Sequence, residues 1–150
     1  MTPSESSFWD VVENLCTREP RYRREAYGFV VAALGRAVQS LPSARKADPQ
    51  LRHLSGTELM RSVVTLARRE FGACADLVFR EWGVTSAEDV GRIVFRLVES
   101  GQLSARPEDT MEDFRRAPDL MRALSRPGAA PAPDSAAPPG RGRAGGSAGA

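Results

Sequence analysis

Apolar residues recur along this chain at steps of three and four. Phe8, Val11, Val12, Leu15 and Cys16 trace one stripe, and Ser6 or Ser7 stands where an N-cap would start a first helix. Pro20 separates it from a longer stripe, Ala26, Phe29, Val30, Ala33, Leu34, Ala37, Val38 and Leu41, which keeps one face until Pro42 ends it. The run "PSARKADPQ" is polar and predicts a loop. Leu59, Val63, Leu66, Ala67 and Phe71 predict a third helix that breaks or kinks at Gly72. Ala75, Val78, Phe79 and Trp82 predict a fourth, closed by Gly83 in a left-handed turn. Val90, Ile93, Val94, Leu97 and Val98 form a fifth stripe, which Gly101 stops. Either Thr85 with Glu88 or Ser86 with Asp89 has capping-box spacing for its start.

After Gly101 the periodicity fades. "QLSARPEDTMEDF" reads as a hairpin with Leu103 and Phe114 toward the core, or as a loop followed by a short helix capped by Thr110. "DLMRAL" predicts at most a short final helix. The fold class is mainly α, a compact bundle of about five helices. A small winged-helix-like hairpin over 102–116 is one way for it to end. Residues 1–126 form the single domain. Residues 127–150 hold 8 Ala, 6 Gly and 5 Pro with no aromatic or large aliphatic side chain, so they cannot bury enough to offset their ordering entropy and predict a disordered tail.

Charge changes the picture by subtraction. Of the formal +2, Arg141 and Arg143 against Asp134 place +1 in the tail and leave +1 for the body. Such a body projects no long-range field to steer it onto nucleic acid or an anionic membrane. Cys16 and Cys74 fall on apolar stripes and read as small core residues, not a disulfide framework. With one histidine they are too few for a zinc site, and no cofactor motif is present. "MTPSESSFWD" lacks a basic stretch followed by an apolar run, and "FVVAAL" is far too short to span a bilayer; a cytoplasmic, soluble protein is the expectation.

The sole histidine lies in "RHLSGTEL". With Ser55 as N-cap, Glu58 falls at the third helical position, and Leu54 and Leu59 take the places of a hydrophobic staple. The serine hydroxyl is then engaged in starting a helix. A hydrolase would need an oriented base, an oxyanion hole and a nucleophile elbow, none of which the spacing supplies. Arg52 and His53 remain just before a helix N-terminus, where free amides favour an anion or a polar partner.

Three other stretches invite chemistry. "WGVTSAEDVGRIVFRLVESGQLS" suggests a helix-turn-helix, but that frame puts Asp89 at a position meant to be buried, and Phe79 where a tight crossing wants a small side chain. The exposed face of its second helix would mix Glu88, Asp89, Arg92, Arg96 and Glu99, and the wing would carry Glu108, Asp109, Glu112 and Asp113, the wrong sign for phosphates. "TREPRYRREAYG" sets Arg18, Arg21, Arg23 and Arg24 around Tyr22 and Tyr27, a pattern that can stack on single-stranded nucleic acid. With Glu13, Glu19 and Glu25 close by, a solvated helix entrance with packed tyrosines is the better reading. "PEDTMED" is acidic without the glycine or ligand spacing of an EF-hand loop.

Taken together, "EAYGFVVAAL", "RHLSGTELM", "REFG", "EWGVTSAEDVGRIVFRLVESGQLS" and "EDTMEDF" resemble an uncharacterised bacterial family described as restricted mainly to verrucomicrobial and planctomycete lineages. The likeness covers roughly Tyr22 to Phe114. It implies a shared fold and transfers no activity, substrate or residue role. After "DF" the family pattern would continue rich in aromatics; this chain has "RRAPDLMRAL", which weighs against a second wing strand.

The sequence therefore supports a non-enzymatic protein-interaction module, with Arg52, His53, Glu108, Asp109, Glu112 and Asp113 as interaction or anion contacts. The alternative is a degenerate winged-helix regulator that binds DNA.

Overall fold

A computed structural model describes residues 5–47, 54–103 and 111–125. Among them the chain is mainly helical and contains no strand. The elements are α1 (Glu5–Arg18), α2 (Arg24–Gln39), α3 (Ser43–Ala47), α4 (Gly56–Phe71), α5 (Ala75–Trp82), α6 (Ala87–Glu99), α7 (Met111–Arg115) and α8 (Leu120–Ser125). A 3-10 turn, Gly72–Cys74, joins α4 to α5.

Helix α4 is the hub. It packs most extensively on α2 and also meets α5, α6, α7 and α8, while α1 leans on α2 and α7 lies across α4 and α6. Its face carries Leu59, Val63, Leu66 and Ala67, all buried, against Val30 and Ala33 of α2 and Ile93 and Leu97 of α6. Burying each such aliphatic side chain contributes roughly 1.5–3 kcal/mol, which is why the stripes, and not local propensity, hold these helices in place. At one end Phe29, Phe71, Phe79 and Trp82 form an aromatic group whose ring centroids lie 5.3–5.8 Å apart. Phe79 is thus a core residue among other rings.

The glycine stops behave as read. Gly83 has φ 85° and ends α5, and a Cβ there would lie 2.5 Å from the Arg21 carbonyl oxygen, so both backbone conformation and space demand glycine. Val84 N–H donates to the Phe79 carbonyl at 2.9 Å, completing the C-terminal turn.

Several expectations are corrected. Ser6 and Ser7 lie inside α1, so neither caps it. "SARKA" within the polar run is helical, starting after Pro42, whose carbonyl accepts from Lys46 N–H. It has no buried residue, so hydrophobic spacing held no signal for it. Cys74 is exposed rather than set on an apolar face, for it lies in the 3-10 turn between α4 and α5, which buries no residue; Cys16 is half-buried. Residues 111–115, where the second arm of a 102–116 hairpin would run, form α7, the short-helix alternative; Phe114 is buried and Leu103 packs on the core, the placement the hairpin reading gave them. Thr110 and the tail 127–150 lie outside the described residues.

Candidate functional site

The N-terminus of α6 concentrates the polar chemistry of the described residues. Ser86 is the N-cap: its Oγ accepts from Asp89 N–H, and the Asp89 carboxylate accepts from Ser86 N–H at 3.1 Å, so Ser86 with Asp89 is the capping box realised. Asp89 is 3% exposed, the one charged side chain buried among the described residues, and not part of an exposed recognition face.

Its burial is tolerable because every lone pair is met. Oδ2 accepts from the Thr85 and Ser86 amides, while Oδ1 accepts from Tyr22 Oη–H at 2.6 Å and from Arg92 Nη1 at 2.8 Å. Arg21 approaches at 3.5 Å and its guanidinium lies 5.6 Å from the Tyr22 ring centre. Burial pushes the Asp89 carboxyl upward. The hydrogen bonds from Tyr22, Thr85 and Ser86, with the Arg21 charge, outweigh burial and hold it below the ordinary carboxylate value. The same burial raises the Tyr22 phenol. Saturated in this way, the carboxylate has no proton to trade; it joins the α1–α2 connection to the start of α6.

The arginines of α6 are committed inward. Arg92 bonds Asp89, while Arg96 donates to Tyr27 Oη at 3.1 Å, pairs with Glu19 and is 18% exposed. Arg23 pairs with Glu81 and Arg24 with Glu13, each at 2.7 Å. Tyr22 and Tyr27 are buried, so neither ring is available to stack on a base.

On the opposite flank of the α6 start lies an open hollow of about 280 Å³. Thr85, Ser86, Ala87 and Glu88 form one wall; Phe114, Arg115, Ala117, Pro118, Asp119 and Leu120 form the other. Phe114 and Leu120 are buried beneath it, and Arg115 bridges the rim to Glu88 while also meeting Glu112. The Asp119 carboxylate accepts from Arg122 N–H at 3.1 Å and so starts α8.

The residues singled out from the sequence divide. Arg52, His53, Glu108 and Asp109 lie outside the described residues. Ser55 Oγ accepts from Glu58 N–H at 3.1 Å and Glu58 accepts from Ser55 N–H at 2.9 Å, so the serine starts α4 as its spacing predicts. Glu58 is also gripped by Arg45 of α3 at 2.9 Å, and this bond holds its carboxyl below the usual range. Glu112 is exposed and Asp113 half-buried. A Cβ on Gly56 would lie 2.9 Å from Asp113 backbone and Cβ atoms, so the glycine lets α7 settle on the first turn of α4. Asp113 and Gly56, apart in sequence, are thereby brought together.

Sequence spacing missed the hollow entirely. Its lining comes from a helix start and a helix–helix turn nearly thirty positions away, and no local pattern marks their meeting. Among the described residues no three His, Cys, Asp or Glu side chains gather as a metal site would require, and no helix is long and apolar enough to cross a membrane. No protein-family model, curated protein or solved structure matches the chain. No role therefore comes from a relative.

Proposed function

We propose that this protein is a non-enzymatic interaction module whose contact surface is the corner built by the α6 start, α7 and the α7–α8 turn. The observation that carries this reading is the pairing of displayed acidic side chains with a partly apolar hollow on a preset frame. Glu112 and Glu88 stand at the surface around Arg115, while Phe114 and Leu120 fix the ground beneath them. An apolar centre with a polar rim is the composition of a protein contact.

Support for the module over an enzyme comes from how the reactive groups are spent. Ser55, Glu58 and Asp89 each have their oxygens engaged in helix starts and ion pairs. Support over a DNA-binding regulator comes from Arg92 and Arg96, which face Asp89, Tyr27 and Glu19 instead of solvent phosphates.

The test is comparative affinity purification from the native host, using wild type and Glu112→Ser/Asp113→Ser. Specific co-purifying protein lost in the variant, with melting temperature unchanged, is the expected result. An identical set of captured proteins would overturn the reading, and nucleic acid in place of protein would favour the DNA alternative.

A further inference from the structure

We infer that α3 is a latch that opens by itself: the Arg45–Glu58 ion pair holds it on α4, and screening or removing those charges releases residues 43–47 while the rest of the fold stays packed. This inference stands apart from the contact-surface reading and makes no use of the hollow.

Apolar packing does not fasten α3. Ser43, Ala44, Lys46 and Ala47 are exposed, and of its residues only Arg45 is half-buried. The other short helices differ in this respect. Helix α7 is also five residues long, but it buries Phe114 and lies across α4 and α6, and α8 buries Leu120 and Leu124. Apolar area removed from water ties those two to the core, and α3 has no such tie. Nor do its own backbone bonds sustain it, because helix nucleation is costly and isolated helices shorter than about 12 residues are marginal in water.

Charge supplies the hold instead. Arg45 Nη1 donates to Glu58 Oε2 at 2.9 Å and Nη2 donates to Oε1 at 3.4 Å, a two-point grip across 13 positions of sequence. The two side chains stay 32% and 33% exposed, so salt reaches the pair and weakens it. Arg61, one turn further along, also favours the ionised Glu58, but it sits on α4 itself and cannot hold α3. Before α3 the chain is fixed by the buried Leu41, so opening stops there and leaves α2 in place. The start of α4 is spared as well, since Glu58 Oε1 keeps the Ser55 N–H at 2.9 Å. What opening frees is Oε2, a charged acceptor that a partner's cation can take in place of Arg45.

The experiment is amide hydrogen exchange of the full chain, read by two-dimensional NMR at one pH in about 0.05 M and about 1 M sodium chloride. The reporter is the Lys46 N–H, which donates to the Pro42 carbonyl at 3.0 Å; the amide of Val63, buried in α4, reports on the core. High salt is expected to quicken Lys46 exchange by about two- to fivefold, the range a partly exposed ion pair supports, with Val63 unchanged. Arg45→Gln gives the fast Lys46 exchange already at low salt and removes its salt response. Glu58→Gln does the same while its amide oxygen still accepts from Ser55 N–H, so this variant separates the latch from the helix cap. Lys46 exchanging in step with Val63, a Lys46 rate indifferent to salt, or an undiminished salt response in Arg45→Gln overturns the proposal. Should Arg45→Gln fail to fold, an undiminished response in Glu58→Gln overturns it instead.

Discussion

Tyr22 donates its phenolic proton to the buried Asp89 carboxylate at 2.6 Å, across 67 positions of sequence. This bond ties the connection between α1 and α2 to the first turn of α6, next to the hollow. Both the stability of that corner and its acid response follow from it.

Removing the phenol alone, in Tyr22→Phe, leaves Asp89 its Arg92 and backbone donors but deletes a charge-assisted hydrogen bond. A loss of about 1.5–3 kcal/mol in urea unfolding is expected. Asp89→Ala goes further, since it strands Tyr22 and Arg92 and abolishes the capping box; about 3–5 kcal/mol is expected, by analogy with a broken buried pair. Equal, small effects from both would show the cluster to be incidental.

Acid should loosen this corner. Asp89 has its carboxyl held below the ordinary value in the fold, and so does Glu58. A depressed carboxyl contributes stability that is fully present above the unfolded-state value, near pH 4, and is lost as pH falls through the folded one. Unfolding free energy measured from pH 7 to pH 2 should therefore be level in this contribution down to about pH 4 and then decline. Asp89→Asn flattens part of that decline.

Ser55→Ala separates helix starting from catalysis. Loss of the N-cap at α4 is expected to cost about 1 kcal/mol, seen as a fall of a few degrees in melting temperature. Partner capture should persist, because the hydroxyl serves the helix and not a ligand.

Gly56→Ala probes the seat of α7. Its new methyl would meet the Asp113 backbone at 2.9 Å, and backbone cannot step aside cheaply. A destabilisation of about 1–3 kcal/mol is expected, as for overpacking elsewhere. Amide exchange should quicken first over Met111–Arg115, since α7 is the element displaced.

Features that depend on near neighbours are legible in the order of residues alone. The stripes of α2, α4 and α6, the Ser55–Glu58 and Ser86–Asp89 caps and the Gly83 turn are each written within a few residues, because helical period, capping bonds and positive φ are local physics. Helix α3 escaped for the same reason: it buries nothing, so its residues carry no period. The interior position of Asp89 instead follows from contacts made across the fold. Its cost of burial is met by Tyr22 and Arg21, far off in sequence; spacing set it both at a buried position of a helix-turn-helix frame and among the charges of an exposed face, and had no means of choosing. The hollow beside it and the seating of Asp113 on Gly56 arise the same way, from surfaces that become neighbours once the apolar stripes have packed.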